Sequence, residues 1–220
     1  MTFTVPSDSR SVLDRLDRVV PEQVLRHLPG VGVAAPARSA ASVILVRDAE
    51  PGLEAYLLHR HGRMPFAPGM VVFPGGEVDP VDVDPIACAV REAREETGVD
   101  LDPAALMPWA HWITPEFEPR RYDTVFFGAR LPDGATTDDV SGETDQAGWQ
   151  SPAGALADLA AGRIQMLPPT LSILVELSEL GSWARLAASA RDRQVSPVLP
   201  RAVREGTGWV FDYGGWVGQA

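Results

Sequence analysis

No lysine occurs anywhere in the 220 residues; all 19 basic side chains are arginine. That fits a bias in coding composition as well as any physical demand, so alone it excludes nothing. Cysteine is nearly absent too. The single Cys88 rules out an internal disulfide and suits a reducing, cytoplasmic setting. No apolar run approaches the roughly 20 residues a membrane span needs. The first twenty residues are charged and lack the apolar segment of a secretory signal. A soluble cytoplasmic protein without a membrane partner is therefore expected. Positive charge is scarce relative to negative, giving a formal net charge of −11 and no basic stripe. A nucleic-acid partner is excluded on that ground. A small anionic substrate is not, because bound divalent cations reverse the local sign of the field.

What is present is an ordinary apolar fraction, 45%, enough for a core of normal size in one large domain. "SVLDRLDRVV" and "PEQVLRHL" read as two short amphipathic helices, with Leu13, Leu16 and Val20 on one side, followed by the linker-like "GVGVAAPARSA". "ASVILVR" and "LEAYLLHR" around "DAEPG" read as a β-hairpin, and "GMVVFPGG" as a third strand. "MPWAHWITP" and "RRYDTVFFGARL" are further strands. "SPAGALADLAAG" reads as a helix capped by Ser151, and the segment from Pro168 as one or two helices broken near Gly181. "GWVFDYGGWV" is expected as a terminal strand or arm. The fold class is thus α+β: a mixed sheet of about five or six strands with helices on both faces. The expected organisation is a helical extension and linker over residues 1–38, a main domain over 39–195 and a C-terminal arm over 196–220.

The most informative stretch is "FPGGEVDPVDVDPIACAVREAREETGV", residues 73–99. Asp84 can cap a helix that has Pro85 in its first turn, and Gly98 can supply a left-handed stop. At 100° per residue, Glu92, Glu95 and Glu96 fall within an arc of about 100°. Ile86, Ala89, Val90, Ala93 and Thr97 form a separate stripe suited to packing on a sheet. Carboxylates gathered on one helix edge repel one another unless a cation joins them, and Mg²⁺ or Mn²⁺ with oxygen ligands would turn that repulsion into a site. Arg91 lies four residues before Glu95, the spacing at which the two side chains meet.

"REAREETGV" resembles the second half of the Nudix hydrolase signature, G-x5-E-x7-R-E-U-x-E-E-x-G-U, where U is aliphatic. The first half departs from it. Gly76 stands fifteen rather than fourteen residues before Arg91, and the region of Asp82 or Asp84 stands where a glutamate is usual. The resemblance implies an α/β/α sandwich with a mixed central sheet and hydrolysis of a small-molecule diphosphate. It implies Glu92, Glu95, Glu96 and the Gly76 carbonyl as ligands of Mg²⁺ or Mn²⁺, with Arg91 orienting Glu95.

The flanks resemble one branch of that family more closely. "LLHRHGRMPFAPGMVVFPGG" is similar to a segment of the coenzyme A diphosphatases, matching at Arg60, Gly69, Val71 and the Phe73–Gly76 turn. Ala67 replaces a usual histidine there, and His61 a usual serine. The run from Phe66 to Asp79 and the later "WITPEFEPRRYDTVFF" look like the acyl-coenzyme A-cleaving members. This implies cleavage of coenzyme A or acyl-coenzyme A to 3′,5′-ADP and a 4′-phosphopantetheine. Arg60, Arg63, Arg120 and Arg121 become candidate substrate contacts, Arg120 and Arg121 through bidentate bonds to phosphate. "GETDQAGWQSPAGAL" resembles a segment that supplies a further glutamate, which makes Glu143 a candidate general base or extra ligand. Trp109, Trp112 and Trp149 can stack on an adenine or serve the core, and His59 and His61 are expected to be structural or surface groups. Ala67 and His61 keep open a pyrophosphatase of ADP-ribose, a dinucleotide or another nucleoside diphosphate derivative. A ligand-sensing domain without turnover is a third reading. The terminal extensions are expected to build a homodimer interface or to cover the acyl end of a substrate.

Overall fold

In the computed structural model the described residues are 13, 16, 34–63, 67–138 and 144–213. The hairpin expected around "DAEPG" is formed by β1 (Arg38–Ala49) and β2 (Gly52–Arg60), paired from Ala49↔Gly52 outwards. Two short strands follow, β3 (Met70–Val72) and β4 (Gly75–Glu77), and then helix α1 (Pro85–Thr97). β5 (Met107–Ile113) and β6 (Tyr122–Arg130) lead to β7 (Thr144–Gln150) and α2 (Pro152–Ala160). The chain continues through β8 (Gln165–Met166), α3 (Pro168–Leu180), α4 (Trp183–Ala190) and β9 (Pro197–Val198). A hairpin of β10 (Arg201–Glu205) and β11 (Gly208–Asp212) forms a separate two-stranded sheet.

The main sheet runs in the order β8-β3-β2-β1-β6-β5-β9, with β4 paired to β1 and β7 paired to β2. β1 lies parallel to β6 from Arg38↔Tyr122 to Val46↔Arg130 and antiparallel to β2 and β4. The sheet is therefore mixed. It has nine strands rather than five or six: β4, β8 and β9 are only two or three residues long, and β7 was not among the strands expected. Pairs that short carry no alternation of their own and exist through their partners.

Alternation along the long strands sends side chains to two separate cores. Ala41, Val43 and Leu45 of β1, Tyr56 and Leu58 of β2, and Phe127 and Ala129 of β6 pack with Cys88, Ala89 and Ala93 of α1. Ile44 and Val46, Leu53, Ala55 and Leu57, and Phe126 face the other way, onto Ala155 of α2, Ile173, Leu174 and Leu177 of α3, and Leu186 of α4. Strands with period two between two helical layers make an α/β/α sandwich. Leu13 and Leu16 are buried in the second core; Val20 and the rest of the two expected N-terminal helices lie outside the described residues.

Local sequence explains where α1 begins and ends. Asp84 accepts from the Ala87 N–H at 2.8 Å, Pro85 occupies the first turn, and Gly98 adopts φ 72° while its N–H bonds Arg94 O at 3.0 Å. Ser151 caps α2 at the Gly154 N–H, and Gly181 at φ 66° separates α3 from α4.

Candidate functional site

β4 and α1 bring the acidic edge against the glycine turn. Gly75 and Gly76 pair with Ser42 and Ala41 of β1. A Cβ on Gly75 would come within 2.4 Å of Ala41 O, and one on Gly76 within 2.2 Å of Glu92 Oε1. Only a residue without a side chain lets the Glu92 carboxylate lie so close to that backbone. The Gly75 N–H donates to Glu96 Oε2 at 2.7 Å, and Glu96 is buried.

Arg91 organises the rest. Its Nη1 donates to Glu92 Oε1 at 2.8 Å and to Glu95 Oε2 at 2.9 Å. Its Nε and Nη2 form a fork onto Asp82 Oδ1 and Oδ2 at 3.1 and 2.9 Å, and Nη2 also donates to Glu77 O at 3.2 Å. The alternative left open by the departing first half is thereby resolved: Asp82 faces Arg91, whereas Asp84 caps the helix. The guanidinium holds the Asp82 carboxyl below its ordinary range, and Asp82, with Glu92, raises that of Arg91 despite partial burial. Cys88 sits beneath, its Sγ 3.5 Å from Glu77 O and 3.7 Å from Gly76 O; burial, with Glu92 adding to it, pushes its thiol up to about 12. It is a small buried hydrophobe, not a nucleophile.

The three glutamates share an edge without forming a closed cage. Among the described residues no three His, Cys, Asp or Glu side chains are drawn in around one point. Arg91 engages one oxygen each of Glu92 and Glu95. The donor set is nonetheless hard oxygen throughout, carboxylates beside a backbone cradle that a Cβ would fill. That set fits Mg²⁺ or Mn²⁺.

The other candidates are distributed unevenly. Arg60 ends β2 and is half-buried, and among the described residues its Nε has no hydrogen-bond partner. Arg63 and Arg120 are exposed. Arg121 is buried and donates from Nε to Thr114 O at 3.0 Å and from Nη1 to Ala35 O at 2.7 Å, fastening the β5–β6 connection to the chain entering β1. Trp109 and Trp112 belong to the core on the α3 side. Trp149 is half-buried, with the Arg47 guanidinium 4.4 Å above its ring and Tyr56 against its edge. His59 and His61 are both half-buried, and Ala67 takes a left-handed φ of 47°. Glu143 lies outside the described residues.

Asp82 is the residue that spacing alone did not single out. Of the acids that precede the helix, Asp84 is taken by the cap at Ala87 N–H, which leaves Asp82 to face Arg91.

Comparison with known proteins agrees with this fold. The NUDIX domain family model matches residues 36–169. A Caenorhabditis elegans protein named as a nudix hydrolase 7 is 28% identical over 185 residues, covering 66% of this chain and 62% of that protein. The Nudix hydrolase NudL of Enterobacter sp. strain 638 is 42% identical over 77 residues, 35% of this chain and 39% of NudL. The mouse peroxisomal coenzyme A diphosphatase NUDT7 is 45% identical over 58 residues, 26% of this chain and 25% of that protein. The chain thus spans less than two thirds of each of these relatives. The crystal structure of a NUDIX hydrolase from Alicyclobacillus acidocaldarius superposes with a TM-score of 0.63 at 22% identity, covering 73% of this chain and 99% of that one. The likeness extends to the fold.

Proposed function

The chain belongs to the Nudix hydrolase family, and from that premise we propose that it hydrolyses the diphosphate of coenzyme A or acyl-coenzyme A with Mg²⁺ or Mn²⁺. The products are 3′,5′-ADP and (acyl-)4′-phosphopantetheine. Family members generally act with divalent metal ions. The observation that carries the reaction is the cluster of Glu92, Glu95 and Glu96 around Arg91 against the Gly75–Gly76 turn. What supports the substrate is the likeness to the mouse coenzyme A diphosphatase, together with the flanking segments around Arg60 and Arg120.

Glu92, Glu95, Glu96 and the Gly76 carbonyl are the groups that would hold the ion. When bound, it supplies charge neutralisation for the diphosphate and lowers the pKa of a water ligand. Arg91 engages the Glu92 and Glu95 carboxylates through Nη1 alone, and the Gly75 N–H holds that of Glu96. Arg60, Arg63 and Arg120 offer guanidinium donors to phosphate oxygens; Arg121 holds the connection that presents Arg120. Glu143 is the proposed general base. In the reaction a water oxygen bonds to one phosphorus, its proton passes to the base, and the bridging oxygen leaves with the other phosphate.

Mass spectrometry of products after incubation with coenzyme A and Mn²⁺ tests this. Equal amounts of 3′,5′-ADP and 4′-phosphopantetheine are expected. Intact coenzyme A alongside release of AMP from ADP-ribose or a dinucleotide would move the substrate. No turnover of any diphosphate at any metal concentration would end the enzymatic reading and favour a ligand sensor.

A further inference from the structure

Resting on the divalent-cation site just described, the geometry points to Asp82 as a positioning residue that keeps Arg91 from competing with the cation for Glu92 and Glu95. Asp82 occupies Nε and Nη2 together, in the two-point fork a guanidinium and a carboxylate form best. The Glu77 carbonyl shares Nη2. Only Nη1 is left facing Glu92 and Glu95. A cation settling on those carboxylates displaces the Nη1 contacts and leaves the fork closed.

The fork is also sheltered. The Asp82 side chain is 4% exposed and that of Arg91 21%, so a guanidinium edge deprived of Asp82 has little water to turn to. Its nearest acidic alternatives are Glu92, at 13% exposure, and Glu95. Arg91 would then present a two-nitrogen edge to one of them and occupy the oxygens a cation needs. Asp84 does not replace Asp82, because its carboxylate is committed to the Ala87 N–H. Asp79 is a looser neighbour, 61% exposed and 3.9 Å from Nη2. It carries the same charge without closing a fork.

Mn²⁺ binding to the full chain, followed by electron paramagnetic resonance without substrate, reads the effect directly. Asp82→Ala is expected to weaken Mn²⁺ binding about tenfold, the scale of losing a partner that orients metal ligands. Asp79→Ala should change it less than about twofold, as an exposed charge does. Adding Arg91→Ala to Asp82→Ala removes the competitor and should recover most of the loss. Should Asp82→Ala not fold, Asp82→Asn keeps the shape, weakens the fork and should show a smaller loss of the same sign. Equal weakening by Asp79→Ala and Asp82→Ala would reduce the effect to bulk charge and overturn the assignment. A double variant as weak as Asp82→Ala, or a wild-type chain that binds no Mn²⁺, would overturn it as well. Failure to cleave coenzyme A, with the Mn²⁺ pattern intact, would sink the substrate reading and leave the role of Asp82 standing.

Discussion

The two faces of the sheet each enclose an arginine, and they use it in opposite ways. On the α3 side, Arg193 is 3% exposed and pairs with Glu176 at 2.7 Å, Glu176 being 11% exposed. Its guanidinium stacks 3.9 Å over the Trp109 ring and its Nε donates to Trp109 O. On the α1 side, Arg91 meets Asp82, Glu92 and Glu95, with Asp79 nearby and Glu96 on the next position of the helix. One positive charge among several negative ones leaves an excess of negative charge at this edge. A balanced pair in an apolar wall pins the fold; an unbalanced cluster at a glycine turn is where the proposed cation would bind.

Breaking the unbalanced cluster should give the largest effect. Glu96→Gln keeps an acceptor for the Gly75 N–H but removes a charge from the proposed ligand set. Turnover of coenzyme A is expected to fall roughly 10³-fold, in line with the several kcal/mol a metal contributes to such transition states. Thermal melting should move by only a few degrees. Turnover kept within about threefold of wild type would show that the excess charge is not what the reaction uses.

Breaking the balanced pair should reverse the pattern. Glu176→Ala leaves Arg193 buried without its carboxylate, which costs about 3 kcal/mol or more of stability. Activity per folded molecule is expected to stay the same. Burial raises the Glu176 carboxyl above its ordinary 4.5, against the opposing pull of Arg193. A raised carboxyl pKa means the folded state binds the proton more tightly. Its contribution is therefore full below the ordinary value, and it falls as pH rises through the folded value. Urea titrations across that window should show this loss in wild type and not in Glu176→Gln. A wild-type chain that gains stability over the same window, relative to Glu176→Gln, would reverse the sign assigned to burial.

Gly76→Ala sharpens the comparison at the cradle. The added methyl meets Glu92 Oε1 at 2.2 Å, so the carboxylate must shift. Activity is expected to drop about tenfold to thirtyfold, on the order of 2 kcal/mol, as for displaced partners in a metal site. Stability should change little, since the carboxylate is the movable end. Wild-type kinetics in this variant would mean that Glu92 does not act from the position seen beside β4.

How much of this was legible beforehand differs between the same two regions. Around α1, local rules sufficed. The cap at Asp84, the stop at Gly98 and the meeting of Arg91 with Glu95 four residues on are each set by neighbouring positions, and each is observed. The contact of Arg91 with adjacent Glu92 was not expected, because consecutive helical positions diverge; the long guanidinium arm reaches past that divergence. The Asp82 fork spans nine residues across a turn and needed the turn's shape. Elsewhere, distance in the chain was decisive. β7, "TDQAGWQ", places just Ala147 and Trp149 at alternate positions toward the α1-side core, too short a signal by itself, and is set by pairing with β2. Arg121 was expected beside Arg120 as a phosphate contact, yet its carbonyl partners at Thr114 and Ala35 come from the loop start and from 86 residues earlier. Side chains that answer to distant backbone cannot be assigned by spacing.

The smallest effect belongs to Asp84, and it separates the two acids that the sequence left interchangeable. Asp84→Ala removes the acceptor for the Ala87 N–H, worth about 1 kcal/mol at a helix N-cap. Arg91 keeps its fork, since Asp82 is untouched. Melting temperature should fall by a few degrees while the Mn²⁺ dependence of turnover stays where it is. A shift in that dependence as large as the one expected for Asp82→Ala would mean that the cap, by holding the first turn of α1, places Arg91 as firmly as the fork does.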